Sequence, residues 1–204
     1  MPTRSAERNC RVLLLRPSRS LAWLGALALA GTWPSLYKAG PPPAHTGGFG
    51  EPTCRACHSD AGLNEPGGEL AVVGAPAAYQ PGHDYTLEVT LQQAGMLRAG
   101  FQLAVRFVDG PAAGKQGGTL MPSDPRTAVV WDTVTRVAYI EHTASGTAST
   151  SGAARWTFRW TAPTAAEGAR AVVVHVAANA ANDDDSPLGD LIYATAVRVP
   201  AARR

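Results

Sequence analysis

The sequence predicts an all-β fold, an antiparallel β-sandwich preceded by an irregular segment, and three observations support this. The 204 residues include 21 glycines and 16 prolines, a composition that favours turns over long helices. After residue 68, short runs of alternating apolar residues are separated by Gly, Pro, Asn or Asp. No helical pattern lies between these runs, so we expect neighbouring strands to be antiparallel.

Eight strands are predicted from this alternation. Apolar side chains recur at every second position, as in Trp156, Phe158 and Trp160, which is the period of a half-buried strand. The segment before the strands, residues 38–68, has no sustained periodicity and is predicted to be irregular chain. The predicted strands are 69–73, 85–91, 100–108, 127–131, 134–142, 155–161, 171–177 and 191–199.

Residues 1–30 have the layout of a secretory signal. Five arginines precede an apolar run, 21–30, that ends in the small-x-small pattern Ala28-Leu29-Ala30. The alternative is an uncleaved anchor, because apolar residues continue to Tyr37, although Pro34 interrupts them. In both cases we expect an exported chain that is periplasmic, on the cell surface, or anchored to a membrane and facing outward.

The predicted organisation is a signal peptide or anchor at 1–30, a Pro/Gly-rich segment at 31–68 and a sandwich at 69–200. Five of the 18 basic residues and one of the 16 acidic residues lie in the leader, so its removal leaves 13 and 15. A net charge of −2 gives no electrostatic support for nucleic-acid binding, and none is expected.

The motif that carries chemistry is Cys54-Arg55-Ala56-Cys57-His58, which has the form of the c-type haem attachment sequence. Two thiols add to the haem vinyl groups, and the adjacent His58 supplies the proximal iron ligand. Export reinforces this interpretation, because covalent haem attachment in bacteria takes place outside the cytoplasmic membrane. Cys10 lies in the leader, which leaves only Cys54 and Cys57 in the exported part. The sequence therefore predicts one covalent haem c.

Other chemistries remain weaker alternatives. A Cys54–Cys57 disulfide could tighten the loop in an oxidising compartment. Zinc is disfavoured because no second cysteine pair supplies four ligands, and a thioredoxin-like role is disfavoured because Pro52 and the glycines indicate a loop. The acidic stretch 182–190 has oxygen ligands suited to calcium but lacks the alternation of an EF-hand, so a solvated loop is expected.

Further segments of the sequence, spread over about residues 40–199, form a familiar set. They are Gly40-Pro41-Pro42, Thr46 to His58, Gly100-Phe101-Gln102-Leu103, His142-Thr143, Trp156 to Pro163, Ala178 to Asn182 and Gly189-Asp190. In these segments the chain resembles bacterial exported proteins with a Reeler-like domain, the choice-of-anchor V type. The resemblance implies a Reeler-like immunoglobulin-type sandwich preceded by a haem c loop. Because the last predicted strand is followed closely by Ala201-Ala202-Arg203-Arg204, any anchor is expected at the N-terminal side.

The second axial ligand is predicted to be His142, at the end of a strand beside a flexible loop. Met96, in the turn before the 100–108 strand, is the alternative, and a thioether there would raise the reduction potential. His45 lies nine residues before Cys54 and is the next residue to consider. His175 and Met121 complete the set of candidates.

Two functions are carried forward from the sequence. The first is an exported mono-haem c-type cytochrome that transfers electrons to redox partner proteins in the cell envelope, with a membrane tether through the N-terminal segment if the leader is retained. The alternative is a non-enzymatic cell-surface or adhesion module with a Cys54–Cys57 disulfide and no haem. Enzymatic motifs are absent from the sequence, so an electron carrier is favoured over an enzyme.

Overall fold

The computed structural model describes residues 37–167 and 170–202. The predicted signal peptide or anchor at 1–30 lies outside these residues. Among the residues described, no helix is long and apolar enough to cross a membrane.

In the described part of the chain, nine strands form two sheets. In the four-stranded sheet the order is β1-β2-β7-β4, and in the five-stranded sheet it is β5-β6-β3-β8-β9. All neighbouring strands pair antiparallel. The predicted all-β antiparallel sandwich is thus confirmed. The strands are β1 Gly68–Val73, β2 Asp84–Gln93, β3 Arg98–Phe107, β4 Thr119–Pro122, β5 Thr127–Asp132, β6 Val137–His142, β7 Ala153–Thr161, β8 Val172–Ala181 and β9 Leu191–Val199.

The core lies between the two sheets, where the apolar alternation places it. Along β7, Trp156, Phe158 and Trp160 point inward and are at most 1% exposed. Each indole Nε1 donates to a loop carbonyl, at 2.7 Å for Trp156 and 2.9 Å for Trp160. Burying such a ring stabilises the fold by about 1.5–3 kcal/mol, and the paired N–H groups avoid a desolvation cost.

Several strands differ from the sequence prediction, and β4, β6 and β8 differ most. β4 was not predicted, because it has four residues and a single buried side chain, Leu120, which gives no period. β6 begins at Val137, since residues 133–136 form a turn in which the carboxylate of Asp132 accepts backbone N–H groups. β8 continues to Ala181, so the polar loop begins at residue 182.

Residues 37–66, called the cover segment below, lie across the outer face of the five-stranded sheet. The backbone N–H of His45 donates to the Gln102 side chain on β3 at 2.7 Å. Two short 3-10 turns, Gly48–Gly50 and Cys54–Ala56, interrupt an otherwise irregular path. The core buries the inner face of β3 and the cover segment buries its outer face, where Gln102 and Arg106 are 0% and 4% exposed.

The outer edge of β9, which pairs with no other strand, is covered by two segments of the chain. The side-chain amide of Asn64 in the cover segment accepts from the N–H of Ala194 at 2.8 Å and donates to its carbonyl at 3.1 Å, as a neighbouring strand would. Near the end of β9, Tyr79 donates to Pro200 at 2.9 Å and accepts from Ala202 at 2.8 Å. An open edge invites pairing with other chains, and these contacts satisfy it.

Candidate functional site at the Cys-x-x-Cys-His turn

The Cys-x-x-Cys-His motif forms one tight turn. Thr53 begins it, with its hydroxyl oxygen accepting from the N–H of Arg55 at 3.2 Å. The N–H groups of Cys57 and His58 both donate to the carbonyl of Cys54, at 3.2 and 3.0 Å. This turn presents the two thiols and the imidazole within five residues, the order that the sequence predicted.

The two cysteines are unpaired and have different environments. Cys57 is exposed, whereas Cys54 is half-buried. Desolvation of the thiol raises the pKa of Cys54 to about 12. Because the thiolate is the nucleophile, Cys54 is kept in its unreactive protonated form at neutral pH.

His58 lies against a buried carboxylate at the end of the polar loop. Its Nδ1 is 2.8 Å from Oδ2 of Asp190, which is 1% exposed. The same carboxylate accepts from the side-chain amide of Asn179 at 2.9 Å and from the backbone N–H of Asn182 at 3.2 Å. The position of Asp190 corrects the expectation that the whole acidic stretch is solvated.

The rest of the acidic loop is exposed and internally bonded. Asp183 pairs with Arg98, and Asp185 with Lys38. The side-chain amide of Asn182 donates to the carboxylate of Asp184, and its oxygen accepts from the backbone N–H of Asp184. These pairings account for the carboxylates that were considered as calcium ligands.

His142 lies on the same outer face as His58. Its ring rests on Gly100, where a Cβ atom would come within 2.5 Å of the imidazole, and Gly100 pairs with Asn179 beneath His58. The Nδ1 of His142 accepts from the N–H of Phe101 at 3.0 Å. Burial lowers the pKa of His142, which favours the neutral imidazole.

Two buried networks of ion pairs and hydrogen bonds lie between the cover segment and the sheet. In the first, the Arg106 guanidinium contacts both the Glu51 carboxylate and the Tyr139 hydroxyl. Arg106 and Glu51 have side chains only 5% and 7% exposed. In the second, the side-chain amide of Gln102 donates to Glu141 at 2.8 Å and to the carbonyl of Pro42 at 3.0 Å.

Glu141 gives the protein a pH dependence that can be measured. Burial raises its pKa from an ordinary 4.5 to about 7, although the Gln102 hydrogen bond opposes the shift. The folded state therefore binds this proton more tightly than the unfolded state. The stabilisation from that proton is complete below about pH 4.5 and is lost as pH rises to about 7, a change of up to about 3 kcal/mol.

The measurement is the free energy of unfolding of the wild type and Glu141→Gln between pH 4 and 8, about the range set by these pKa values. The amide resembles the protonated acid, so the wild type should lose stability relative to Glu141→Gln as pH rises. Glu69→Gln, at an exposed position on β1, is the matched control and should follow the wild type. Parallel profiles for the wild type and Glu141→Gln would contradict the assignment.

The other predicted ligands are placed apart from the turn. Met96 is 3% exposed and packs in the core between the sheets. The Nδ1 of His45 lies 3.0 and 3.1 Å from the carbonyls of Pro42 and Pro43 within its own loop. His175 packs edge-on against Phe49, with ring centroids 5.5 Å apart. The structure thus brings His142 near His58 and leaves Met96 in the core.

These residues do not fit the predicted six-coordinate haem. His142 is 8% exposed, packs on Gly100 and uses Nδ1 for the N–H of Phe101, so its ring is enclosed by the protein. Within the described part of the chain, no group of three or more His, Cys, Asp or Glu could hold a metal ion. The sequence-based classification as an iron-binding, electron-transporting cytochrome c is therefore wrong for this arrangement. Covalent attachment of haem c at Cys54 and Cys57, with His58 as the proximal ligand, stays a prediction.

Sequence reasoning missed the buried polar partners of the cover segment. Glu51, Arg106, Tyr139 and Asp190 carry the contacts, yet nothing in their spacing indicated this. On β3 the polar residues alternate with apolar ones, a pattern typical of a solvent-facing side.

The chain is similar in fold to several solved structures. The human F-spondin reeler domain is 21% identical, covers 70% of this chain and 96% of its own, and has a TM-score of 0.44. A Reelin-N domain of F-spondin is 21% identical, with coverages of 73% and 97% and the same TM-score of 0.44. A cohesin module from a Clostridium perfringens family 33 glycoside hydrolase is 8% identical, with coverages of 68% and 97% and a TM-score of 0.44.

No protein-family model matches the chain, and no curated protein matches it. The similarities to solved structures concern the fold alone, and no functional inference rests on them. The all-β fold is established by the strands themselves, while membership of the Reeler-like exported proteins stays a prediction.

Proposed function

We propose that the protein is a non-enzymatic, exported cell-surface or adhesion module in which the Cys-x-x-Cys-His turn is a structural clasp. The observation that carries the proposal is that the polar groups of the cover segment bond to the sandwich beneath them. His58 contacts Asp190, Glu51 contacts Arg106, and the backbone of His45 contacts Gln102. These groups fasten the cover segment to the sheet.

The cysteines complete the clasp in this proposal. Export through the N-terminal leader would bring the chain into an oxidising compartment, where disulfides persist. Cys57 is exposed and lies one turn from Cys54, so oxidation would cross-link the turn that positions His58. Redox partner proteins and a membrane tether are not required by this function.

Mass spectrometry of the exported chain tests the proposal. The protein is expressed with its leader in cells that carry a haem c maturation system, and the intact mass is measured before and after reduction. We expect a colourless protein whose mass rises by two hydrogen atoms on reduction of the Cys54–Cys57 disulfide. Ser substitutions at both cysteines provide the matched control, with no change on reduction.

A mass increased by one covalent haem, together with a Soret band that the double Ser variant lacks, would overturn the clasp and restore the haem prediction. Free thiols in the exported wild-type protein would also contradict the disulfide. The two results are distinguishable by colour.

A further inference from the structure

The outer edge of β5 is open, in contrast to the closed edge of β9. β5 lies at one edge of the five-stranded sheet and pairs with β6 on its inner side. Val129 and Trp131 are exposed along this edge, at 37% and 55%. The strand, Thr127–Asp132, contains no Lys, Arg or Pro, the residues that commonly blunt an edge.

The hydrogen-bond register shows which backbone groups are free. Thr143 donates to the carbonyl of Arg126 at 2.9 Å, so this opposing pair is a hydrogen-bonded one. Alternation along an antiparallel ladder then makes the pairs at Val129 and Trp131 non-bonded. The N–H of Ala138, opposite Trp131, accordingly donates to the Gln116 side chain at 2.8 Å instead.

It follows that the N–H and C=O groups of Val129 and Trp131 point away from β6. In the ranges 37–167 and 170–202, no backbone group outside the β5–β6 ladder bonds to them. Four backbone groups thus stand beside two exposed apolar side chains. An extended strand is the partner that satisfies such an edge.

We propose that two copies of the chain associate through antiparallel pairing of β5 with β5, with Val129 opposite Trp131 of the second copy. In this register the outward groups form two reciprocal pairs, which gives four backbone hydrogen bonds. Both valines and both tryptophans then lie on one face, where cross-strand aromatic and β-branched pairs stabilise a sheet. The result is a sheet continuous across two molecules.

The charges on β5 favour a second copy of this chain as the partner of its open edge. The strand has one charged residue, Asp132, and the register places it opposite Ala128 of the second copy rather than opposite another carboxylate. The pairing of two six-residue strands is smaller than a standard interface, so we expect a dissociation constant of about 10 μM or weaker. This inference goes beyond the proposed function and does not depend on the clasp.

Sedimentation velocity of the purified exported chain, from about 5 to 500 μM, tests the pairing across the expected affinity range. The wild type should shift from monomer to dimer, with a blue shift of Trp131 fluorescence. Trp131→Lys and Val129→Pro should each weaken dimerisation at least tenfold; the proline removes an outward N–H and leaves the β6 ladder intact. Val73→Lys, at a 52% exposed position on the edge strand β1, is the matched control and should dimerise normally.

A wild type that stays monomeric over the whole range would overturn the proposal. A dimer that resists both β5 substitutions, or that Val73→Lys weakens equally, would also overturn it. Circular dichroism of each variant ensures that the comparison is between folded chains. Loss of the disulfide would leave the dimer unchanged, so failure of the clasp and failure of the pairing are separable.

Discussion

Arg106→Met should lower the free energy of unfolding by about 3–5 kcal/mol, because it leaves the Glu51 carboxylate buried without a cation. The guanidinium contacts both the Glu51 carboxylate of the cover segment and the Tyr139 hydroxyl of the sheet, and the three groups meet where the cover segment lies on the sheet. Urea denaturation followed by circular dichroism at constant pH measures the loss.

Two further variants distinguish the loss of the buried ion pair from the loss of any arginine on β3. Arg98→Met, on the same strand and face, removes a half-exposed partner of Asp183 and should cost less than about 1 kcal/mol. Glu51→Leu combined with Arg106→Met should recover most of the stability, since replacing both ions with apolar groups removes the buried charge. If Arg106→Met is as mild as Arg98→Met, the network does not hold the cover segment.

Asp190→Ala should be the second most damaging change, at about 2–4 kcal/mol. The carboxylate is buried and accepts from Asn179 and from the backbone of Asn182, and it lies 2.8 Å from the His58 ring. Its removal leaves buried donors unsatisfied and frees the turn that carries His58. The stability is again measured by urea denaturation.

The reactivity of the Cys54 thiol reports locally on the same change that urea denaturation reports for the whole protein. Under reducing conditions, alkylation of Cys54 by a maleimide should be at least about tenfold faster in Asp190→Ala, because opening of the turn exposes a half-buried thiol. Asp184→Ala, in the exposed part of the same loop, should leave that rate near the wild-type value. Equal rates in the two variants would show that Asp190 does not secure the turn.

The sandwich could be predicted from the sequence because its core strands alternate. Strands β2 and β7 each have one face in the core and one toward solvent, so their period of two is visible. β3 shows the limit of that rule. Its polar residues Gln102 and Arg106 were expected in solvent, yet the cover segment buries them.

The candidate site was predictable in part. The spacing of Cys54, Cys57 and His58 fixed their common turn, because a turn of the chain brings such neighbours together. The partners of His58 could not be found this way, since Asp190 belongs to the last loop and reaches it through tertiary packing. His142 was placed near His58 by strand pairing, but its hydrogen bonds to backbone depend on contacts that the sequence does not display.

The amide of Asn64 that closes β9 also orders events in time. Its partner, Ala194, follows it by 130 residues, so this end of the cover segment has no partner on β9 until nearly the whole chain has been made or translocated. Contacts between residues so far apart in the sequence slow folding, and the segments made first stay without their partners during that time. Cys54 and Cys57 therefore emerge well before β8 and β9 exist. Any enzyme that oxidises or modifies these thiols has its opportunity in that interval, before the sheet and its cover come together.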